Sequence, residues 1–277
     1  MNYRHAFHAG NFADLVKHAV LTALLARLTA GPGPVSVLDT HAGAGVYDLG
    51  DEMAKKSGEA AAGIARLMAA SDAPPVFDAL AAAVRQLNPK GDVRLYPGSP
   101  VVAAGMLRPQ DGYLGCELRA DDADLLARAL KAHPGRGKAR AAVADGYAEA
   151  ARIKGGAGRR LVLIDPPFER ADEYEQAAAA TGAILVRDPE ACVVVWLPLK
   201  DLDTLDRFVG RIEDLDPPEA WVAECRMRPL TNPMSLNGCA LVVVGAPPGL
   251  DADAEAACKW VAGRLGEAGG VGRVWAL

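Results

Sequence analysis

The stretch that most restricts the fold of this chain is Leu161-Val162-Leu163-Ile164-Asp165-Pro166-Pro167-Phe168. Four consecutive branched apolar residues predict a strand buried on both faces, as in the interior of a parallel sheet. The strand runs directly into a carboxylate, two prolines and an aromatic ring. Asp165 is therefore expected at the carboxyl end of a core strand, where open α/β sheets bind their ligands. Pro166 and Pro167 fix φ and donate no N–H, so the turn is stiff and rich in acceptors. A rigid set of acceptors beside a flat ring suits the exocyclic amine of a planar base. Asp165 and the Pro166 carbonyl would take the amine hydrogens, and Phe168 would stack on the base. The plainer alternative is a strand-to-helix turn with a surface Asp.

Length and composition narrow the setting. At 277 residues, 51% hydrophobic and 23% charged, the chain has material for one large α/β domain carrying an insertion. No apolar run reaches transmembrane length, and Met1-Asn2-Tyr3-Arg4-His5 lacks the layout of a signal peptide, so a cytoplasmic protein without membrane contact is expected. Cys116, Cys192, Cys225, Cys239 and Cys258 are scattered and never form a C-x-x-C pair. They read as buried thiols in a reducing compartment, and neither zinc nor disulfides are implied. The net charge of −5 argues against a general nucleic-acid coat and leaves room for a local basic site.

Four of the five histidines, His5, His8, His18 and His41, fall within the first 41 residues. The start, Tyr3 to Asn11, is too polar and aromatic for a core strand. From Asn11 the pattern turns helical, with Leu15, Val16, Ala19, Val20, Ala23, Leu24 and Leu28 at spacings of three and four, ending at Gly31-Pro32-Gly33-Pro34. Lys17 and His18 sit on this helix, where solvated side chains are the simple reading. Val35 to Asp39 predicts a first strand, and Thr40-His41-Ala42-Gly43-Ala44-Gly45 a small-residue turn that lets backbone N–H groups approach a ligand. Residues 48–95 interrupt the β/α alternation with two expected helices, Glu59 to Ala70 and Pro75 to Asn88. Ser99 before Pro100 is expected to cap a helix whose N-terminus could face an anionic group. Glu117 ends a second strand and could accept ribose hydroxyls. Asp145, before Gly146, ends a third and could accept from an adenine amine. Further strands are expected near 191–196, 221–228 and 239–246, the last two antiparallel. Helices are expected near 172–187, 201–213 and 252–265, with a short tail after them.

Each acid alone has a simple explanation as a cap or a surface group. Together, Asp39, Glu117, Asp145 and Asp165 each end an apolar strand, so all four should line one edge of one sheet. On this background Asp165-Pro166-Pro167-Phe168 resembles the catalytic motif of S-adenosylmethionine-dependent amino-methyltransferases, and Asp39 with its glycine turn resembles their first motif. Tyr3-Arg4-His5, Phe7 to Asn11, Lys17-His18, Asp39 to Gly45, Tyr96 to Pro100, Ala144-Asp145-Gly146 and Asp165 to Phe168 together resemble the bacterial ribosomal RNA large subunit methyltransferase J family. That resemblance implies N6-methylation of an adenine in 23S rRNA on a Rossmann-like class I fold with a mostly parallel sheet. It implies a methyltransferase domain over residues 1–47 and 96–277 and a helical insertion over 48–95. It also implies S-adenosylmethionine contacts at Lys17, His18, His41, Ser99, Glu117, Asp145 and Gly146, with Asp165 as proton acceptor. Tyr3, Arg4 and His5 would meet the RNA base alongside Pro166 and Phe168. The usual aromatic of the catalytic motif is Tyr; Phe168 keeps the ring and loses the hydroxyl.

Adenine N6 is a poor nucleophile because its lone pair is delocalised into the ring. Accepting both amine hydrogens favours a pyramidal nitrogen with a directed lone pair, and in-line placement against the methyl group would supply much of the rate. Extruding a base costs a few kcal/mol, least from a loop or single strand, so loosely structured, protein-free RNA and a monomeric enzyme are expected. Two alternatives remain open at this point: a DNA adenine-N6 methyltransferase using the same motif, and a nucleotide-binding module in which Asp165 is structural.

Overall fold

The computed structural model describes residues 7–170 and 172–277. Its centre is an eight-stranded sheet built from β1 (Val35–Asp39), β4 (Gly112–Glu117), β5 (Lys138–Val143), β6 (Arg159–Ile164), β7 (Cys192–Leu199), β8 (Ala220–Arg226), β9 (Gly238–Val244) and β10 (Val271–Ala276), while β2 (Val46–Asp48) and β3 (Leu95–Pro97) form a separate antiparallel pair. The strand order is β10-β8-β9-β7-β6-β1-β4-β5. Strands β5, β4, β1, β6 and β7 are mutually parallel, and β9 inserts antiparallel between β7 and β8. From β1 the chain adds β4 and β5 on one side and then β6 and β7 on the other, so the order of strands reverses between β1 and β6, the switch point at which doubly wound sheets take ligands.

The helices are α1 (Phe12–Ala30), α2 (Glu52–Ser57), α3 (Glu59–Ala62), α4 (Ile64–Ala69), α5 (Asp78–Leu87), α6 (Ser99–Met106), α7 (Ala120–Ala132), α8 (Gly146–Ala150), α9 (Glu173–Arg187), α10 (Leu202–Glu213) and α11 (Leu250–Leu265). They cover both faces. Leu161 and Leu163 join the apolar cluster containing α1, α6, α7 and α11, and Val162 and Ile164 join the cluster containing α9 and α10. All four are essentially inaccessible, which is why the stretch of β6 from Leu161 to Ile164 carries no polar residue, while Arg159 and Arg160 lie at its more accessible start. The five cysteines are buried free thiols. No helix among the described residues is long and apolar enough to cross a membrane.

The expected helix from Glu59 to Ala70 is broken in two. Gly63 has φ −103 and ψ −100, outside the helical region, and the Ile64 N–H donates to the Gly10 carbonyl at 2.8 Å. Backbone crowding is the cause: a Cβ on Gly63 would lie 2.2 Å from that carbonyl oxygen. Two further elements escape the sequence pattern. The tail after α11 is an edge strand, β10, paired with β8, and β2 with β3 clamps the two ends of the 48–95 segment together. Asp121 and Asp122 lie in the first turn of α7 and pair with Arg119, the residue at its cap position.

The Gly63 contact joins α4 to the segment preceding α1, so Gly63→Ala should force these backbones apart. A loss of about 1–3 kcal/mol is expected from overpacking, read as a lower midpoint in urea unfolding at unchanged m-value.

Candidate active site

The carboxyl edge of the parallel strands collects the acids. In register, Asp39 is opposite Gly115 of β4 and Leu163 of β6, while Glu117 is opposite Val143 of β5. Asp165 and Asp145 follow β6 and β5 by one and two residues, so all four carboxylates rise from one edge. The glycine turn is stitched to its neighbours: the Thr40 N–H donates to the Leu163 carbonyl at 3.0 Å and the Ala42 N–H to the Cys116 carbonyl at 3.1 Å.

Helix α1 delivers a cation to this edge. Asn11 caps it, accepting from the Asp14 N–H at 2.9 Å, and Asp14 Oδ2 accepts from the Gly10 N–H at 2.9 Å, a reciprocal arrangement that fixes the first turn. Lys17 Nζ then bridges Asp14 Oδ1 at 2.9 Å and Asp165 Oδ2 at 2.6 Å. Its side chain is only 6% exposed, so the solvated reading of Lys17 does not hold. Burial opposes the ammonium charge, but Asp14 and then Asp165 outweigh it and hold the pKa well above the usual lysine value. An ammonium has three donors. Two are used here, leaving one for a ligand anion.

Asp39 is fully buried and receives two hydroxyls on Oδ2, from Ser99 at 2.7 Å and Tyr113 at 3.1 Å. Its Oδ1 is buried without a partner. Burial therefore pushes its pKa up to about 6, against the lowering effect of the Ser99 bond. Ser99 is the first residue of α6 and the cap position belongs to Gly98, so the expected capping role of Ser99 is replaced by this bond to Asp39. Glu117 accepts the Gly43 N–H through Oε1, and burial raises its carboxyl to about 7. His41 stands between the two halves of the edge. Its Nδ1 lies 2.8 Å from Thr40 Oγ1, its ring meets Tyr147 edge-on at 4.9 Å, and burial lowers its pKa to about 4, so it is neutral at ordinary pH.

Other expected residues take different surroundings. His18 is 1% exposed, with Nδ1 2.8 Å from the Tyr96 hydroxyl, so it packs beneath the site rather than on its open face. Asp145 is an N-cap, its Oδ1 accepting from the Tyr147 and Ala148 N–H groups, and only Oδ2 remains for a ligand. Gly146 is required sterically: a Cβ there would lie 2.0 Å from the Thr40 carbonyl oxygen. Pro166 is buried. Phe168 departs most from expectation. It has φ 50, a left-handed conformation costly for a bulky residue, and its ring is 9% exposed between Tyr174 and Trp196 at centroid distances of 4.5 and 6.0 Å. In this arrangement it anchors the Pro-Pro turn instead of offering an open stacking face. Tyr3, Arg4 and His5 lie outside the described residues.

Sequence reasoning gave no site role to Asp14, Tyr96, Tyr113 or Tyr147. A signal existed for Asp14, since an Asp and a Lys three residues apart inside an otherwise apolar helix need each other once buried. The tyrosines carried none, because a tyrosine in a strand or at a helix start reads as packing.

The strand order, the antiparallel β9 and the acid-lined carboxyl edge define a class I methyltransferase fold. Residues 33–277 match the model of a family described as ribosomal RNA large subunit methyltransferase D, RlmJ, and the chain belongs to that family. Ribosomal RNA large subunit methyltransferase J of Escherichia coli strain K12 is 32% identical over 270 residues, covering 97% of this chain and 95% of the relative. The protein of the same name from Haemophilus influenzae is 30% identical over 249 residues, covering 89% and 88%. Among solved structures, protein LPL1258 of Legionella pneumophila superposes with a TM-score of 0.87 at 26% identity, covering 97% of this chain and 98% of that one.

S-adenosylmethionine, the cofactor of this fold class, fits the residues present. Asp39 offers an orphaned buried acceptor, Glu117 a free oxygen, Asp145 an exposed one, and the Gly146 backbone leaves no room for a side chain beneath them. Because Asp39 and Glu117 titrate above their ordinary values, the folded state holds their protons more tightly than the unfolded chain does. Their contribution to stability is present at low pH and is lost as pH rises from about 4 through about 7. A ligand that donates hydrogen bonds to them selects the ionised forms. Affinity for S-adenosylhomocysteine should therefore rise between about pH 5.5 and 8 with net proton release, and Glu117→Gln should flatten the upper part of that profile in calorimetry run in two buffers.

Proposed function

We propose that this protein transfers a methyl group from S-adenosylmethionine to N6 of an adenine in 23S rRNA. The observation that carries the reading is Asp165, presented at the end of β6 with one carboxylate oxygen held by Lys17 and the other left for a substrate hydrogen. Family membership and the names of the two relatives support the large-subunit rRNA as substrate.

When bound, S-adenosylmethionine supplies an electrophilic methyl group; the chain supplies position and charge. Glu117 takes the ribose hydroxyls, Asp145 Oδ2 the adenine amine of the cofactor, and Asp39 Oδ1 a cationic donor of its amino-acid half. Ser99 and Tyr113 orient Asp39, and His41 walls the cradle as a neutral ring. Lys17 has one hydrogen left for the cofactor carboxylate, and His18 supports that helix face through Tyr96. On the substrate side, Asp165 Oδ1 and the Pro166 carbonyl accept the two N6 hydrogens. This localises the nitrogen lone pair, and Asp165 takes up the proton released when the N–C bond forms. Lys17 keeps the carboxylate in one rotamer, so the acceptor is in place before the base arrives. Phe168 holds the turn from behind. Tyr3, Arg4 and His5 are assigned to the extruded nucleotide, as an aromatic and a guanidinium can stack on or clamp it. The division into a methyltransferase domain, 1–47 with 96–277, and a helical insertion, 48–95, belongs to the same reading, as does action as a monomer in the cytoplasm.

Tritiated cofactor supplied with deproteinised 23S rRNA, assembled large subunits and DNA tests the assignment. Label in N6-methyladenine of the free rRNA is expected. Preferential labelling of DNA would instead favour a DNA enzyme, and cofactor binding with no transfer to any of the three would leave a binding module. Asp165→Asn should reduce transfer by about 10²–10⁴-fold, the usual worth of a positioned acid–base group, while S-adenosylhomocysteine affinity stays within about threefold. Deletion of residues 2–5 should abolish most RNA methylation without altering the melting temperature. A truncated protein that melts lower yet still methylates RNA at the full rate would remove the assigned role of that segment.

A further inference from the structure

We infer that the loop from Met227 to Asn237 is a rigid RNA-facing wedge, with Met234 entering the base stack beside the target adenine and filling the gap its extrusion leaves. The inference rests on the rRNA-methylation reading above and adds the residue that opens the substrate.

In the β6–β7 register Ile164 is opposite Val195, yet β7 continues to Leu199. At a rise of about 3.3 Å per residue, those four extra residues carry the chain roughly 13 Å beyond the level of Ile164, the residue before Asp165. The loop is fastened to this protruding end. The Asn237 N–H donates to the Leu199 carbonyl at 3.0 Å, and Asn237 Nδ2 donates to the carbonyls of Lys200 at 2.9 Å and Asn232 at 2.7 Å. Asn237 is itself completely buried. The loop therefore stands above the sheet edge as a wall, one strand away from Asp165.

The Met227 N–H donates to the Asn237 carbonyl at 2.8 Å, closing the loop at its base. Higher up, Asn232 accepts the Met234 N–H at 3.0 Å and donates to Ser235 Oγ at 3.0 Å, and Pro229 and Pro233 restrict φ on either side. An 11-residue connection held this way loses little entropy on binding. Within it Met234 is 89% exposed, the highest value among the exposed large apolar side chains. Exposing a thioether on a braced loop gives the fold nothing.

A base leaving its stack opens a hole whose walls are the faces of its neighbours. Apolar side chains, Met among them, are the residues that proteins insert between base steps. The thioether is polarisable and lies well against an aromatic edge. Lys200, exposed at the foot of the same wall, places a cation where the adjoining phosphate would pass. The site already described accounts for the flipped adenine but for nothing that keeps the hole open.

The experiment uses the full chain and the target adenine once wild-type protein has marked it in 23S rRNA. Two RNA fragments carry that position: one retains its native pairing, and in the other the pairing strand is removed. With 2-aminopurine at the target, wild-type protein should raise the fluorescence of the folded fragment several-fold, and Met234→Ala should lose most of that rise. Transfer by Met234→Ala should fall at least tenfold in kcat/KM on the folded fragment and less than threefold on the unpaired one, and Met234→Leu should restore both readouts. Equal activity of wild type and Met234→Ala on the folded fragment would overturn the wedge. So would an equal loss on both fragments, or a change in oligomeric state on gel filtration, which would make the loop a contact with a second copy. Failure of the wild-type protein to methylate either fragment would instead count against the rRNA-methylation reading itself.

Discussion

The site depends on an ammonium buried between two carboxylates. Lys17 ties Asp14, on its own helix, to Asp165 at the end of β6. Removing three charged groups from water is expensive, and short, well-aligned bonds have to compensate. They do so because Asp14 is already fixed by the Gly10 N–H and Asn11 is already the cap of α1. Helix, cation and acid thus form one unit in which no member can move alone. Loss of one partner from such a buried set typically costs about 3–5 kcal/mol through the charge left behind. The cluster retains one net negative charge, and Asp39 stands close enough for Asp165 to raise its pKa further. An edge with that field favours a ligand carrying positive charge, which is the character of a sulfonium cofactor.

Parallel strands arrange the remaining acids at little cost. A side chain at the end of each strand is set down beside the next at the inter-strand spacing, about 4.8 Å. Buried sheet interior forbids polar residues further back, so the chemistry collects where the strands emerge. Tertiary partners then divide the labour among similar carboxylates. Asp39 is capped by hydroxyls from α6 and β4, Glu117 by a backbone N–H of the glycine turn, Asp145 by its own helix and Asp165 by Lys17.

The Pro-Pro turn illustrates how strain is kept at such a place. Phe168 holds a left-handed backbone conformation that only enclosure can maintain, and Tyr174 and Trp196 provide that enclosure. The ring is used to set the turn, and the turn sets the direction of the acceptors. The 48–95 segment joins the same framework through Glu59, which accepts from Asn11 Nδ2 at 2.9 Å and pairs with His8. The start of α1 is thereby braced from a second side. The bond to Glu59, opposed by burial, leaves the His8 pKa above its ordinary value.

Much was already decided in one dimension. A strand buried on both faces has to be almost continuously apolar, so Val35–Asp39, Leu161–Ile164 and Cys192–Trp196 announce themselves, and the acids at the ends of the first two, Asp39 and Asp165, mark the edge of the sheet. Helices α1, α9 and α10 follow from periodicity for the same reason: one stripe has to face a core. What the local pattern cannot hold is any property set by a distant neighbour. Gly63 breaks a helix because Gly10 lies against it, 53 positions away in the chain. The tail becomes β10 because β8 leaves an open edge to pair with. Lys17 reads as a solvated lysine until 148 residues later Asp165 supplies its counter-ion, and Phe168 reads as an open ring until Trp196 closes over it. Residue type and local spacing determined which groups were available and the end of the sheet to which they belong. Only the folded chain decided which of them touch, because contact, burial and charge are pairwise quantities and one member of each pair is not in the local sequence.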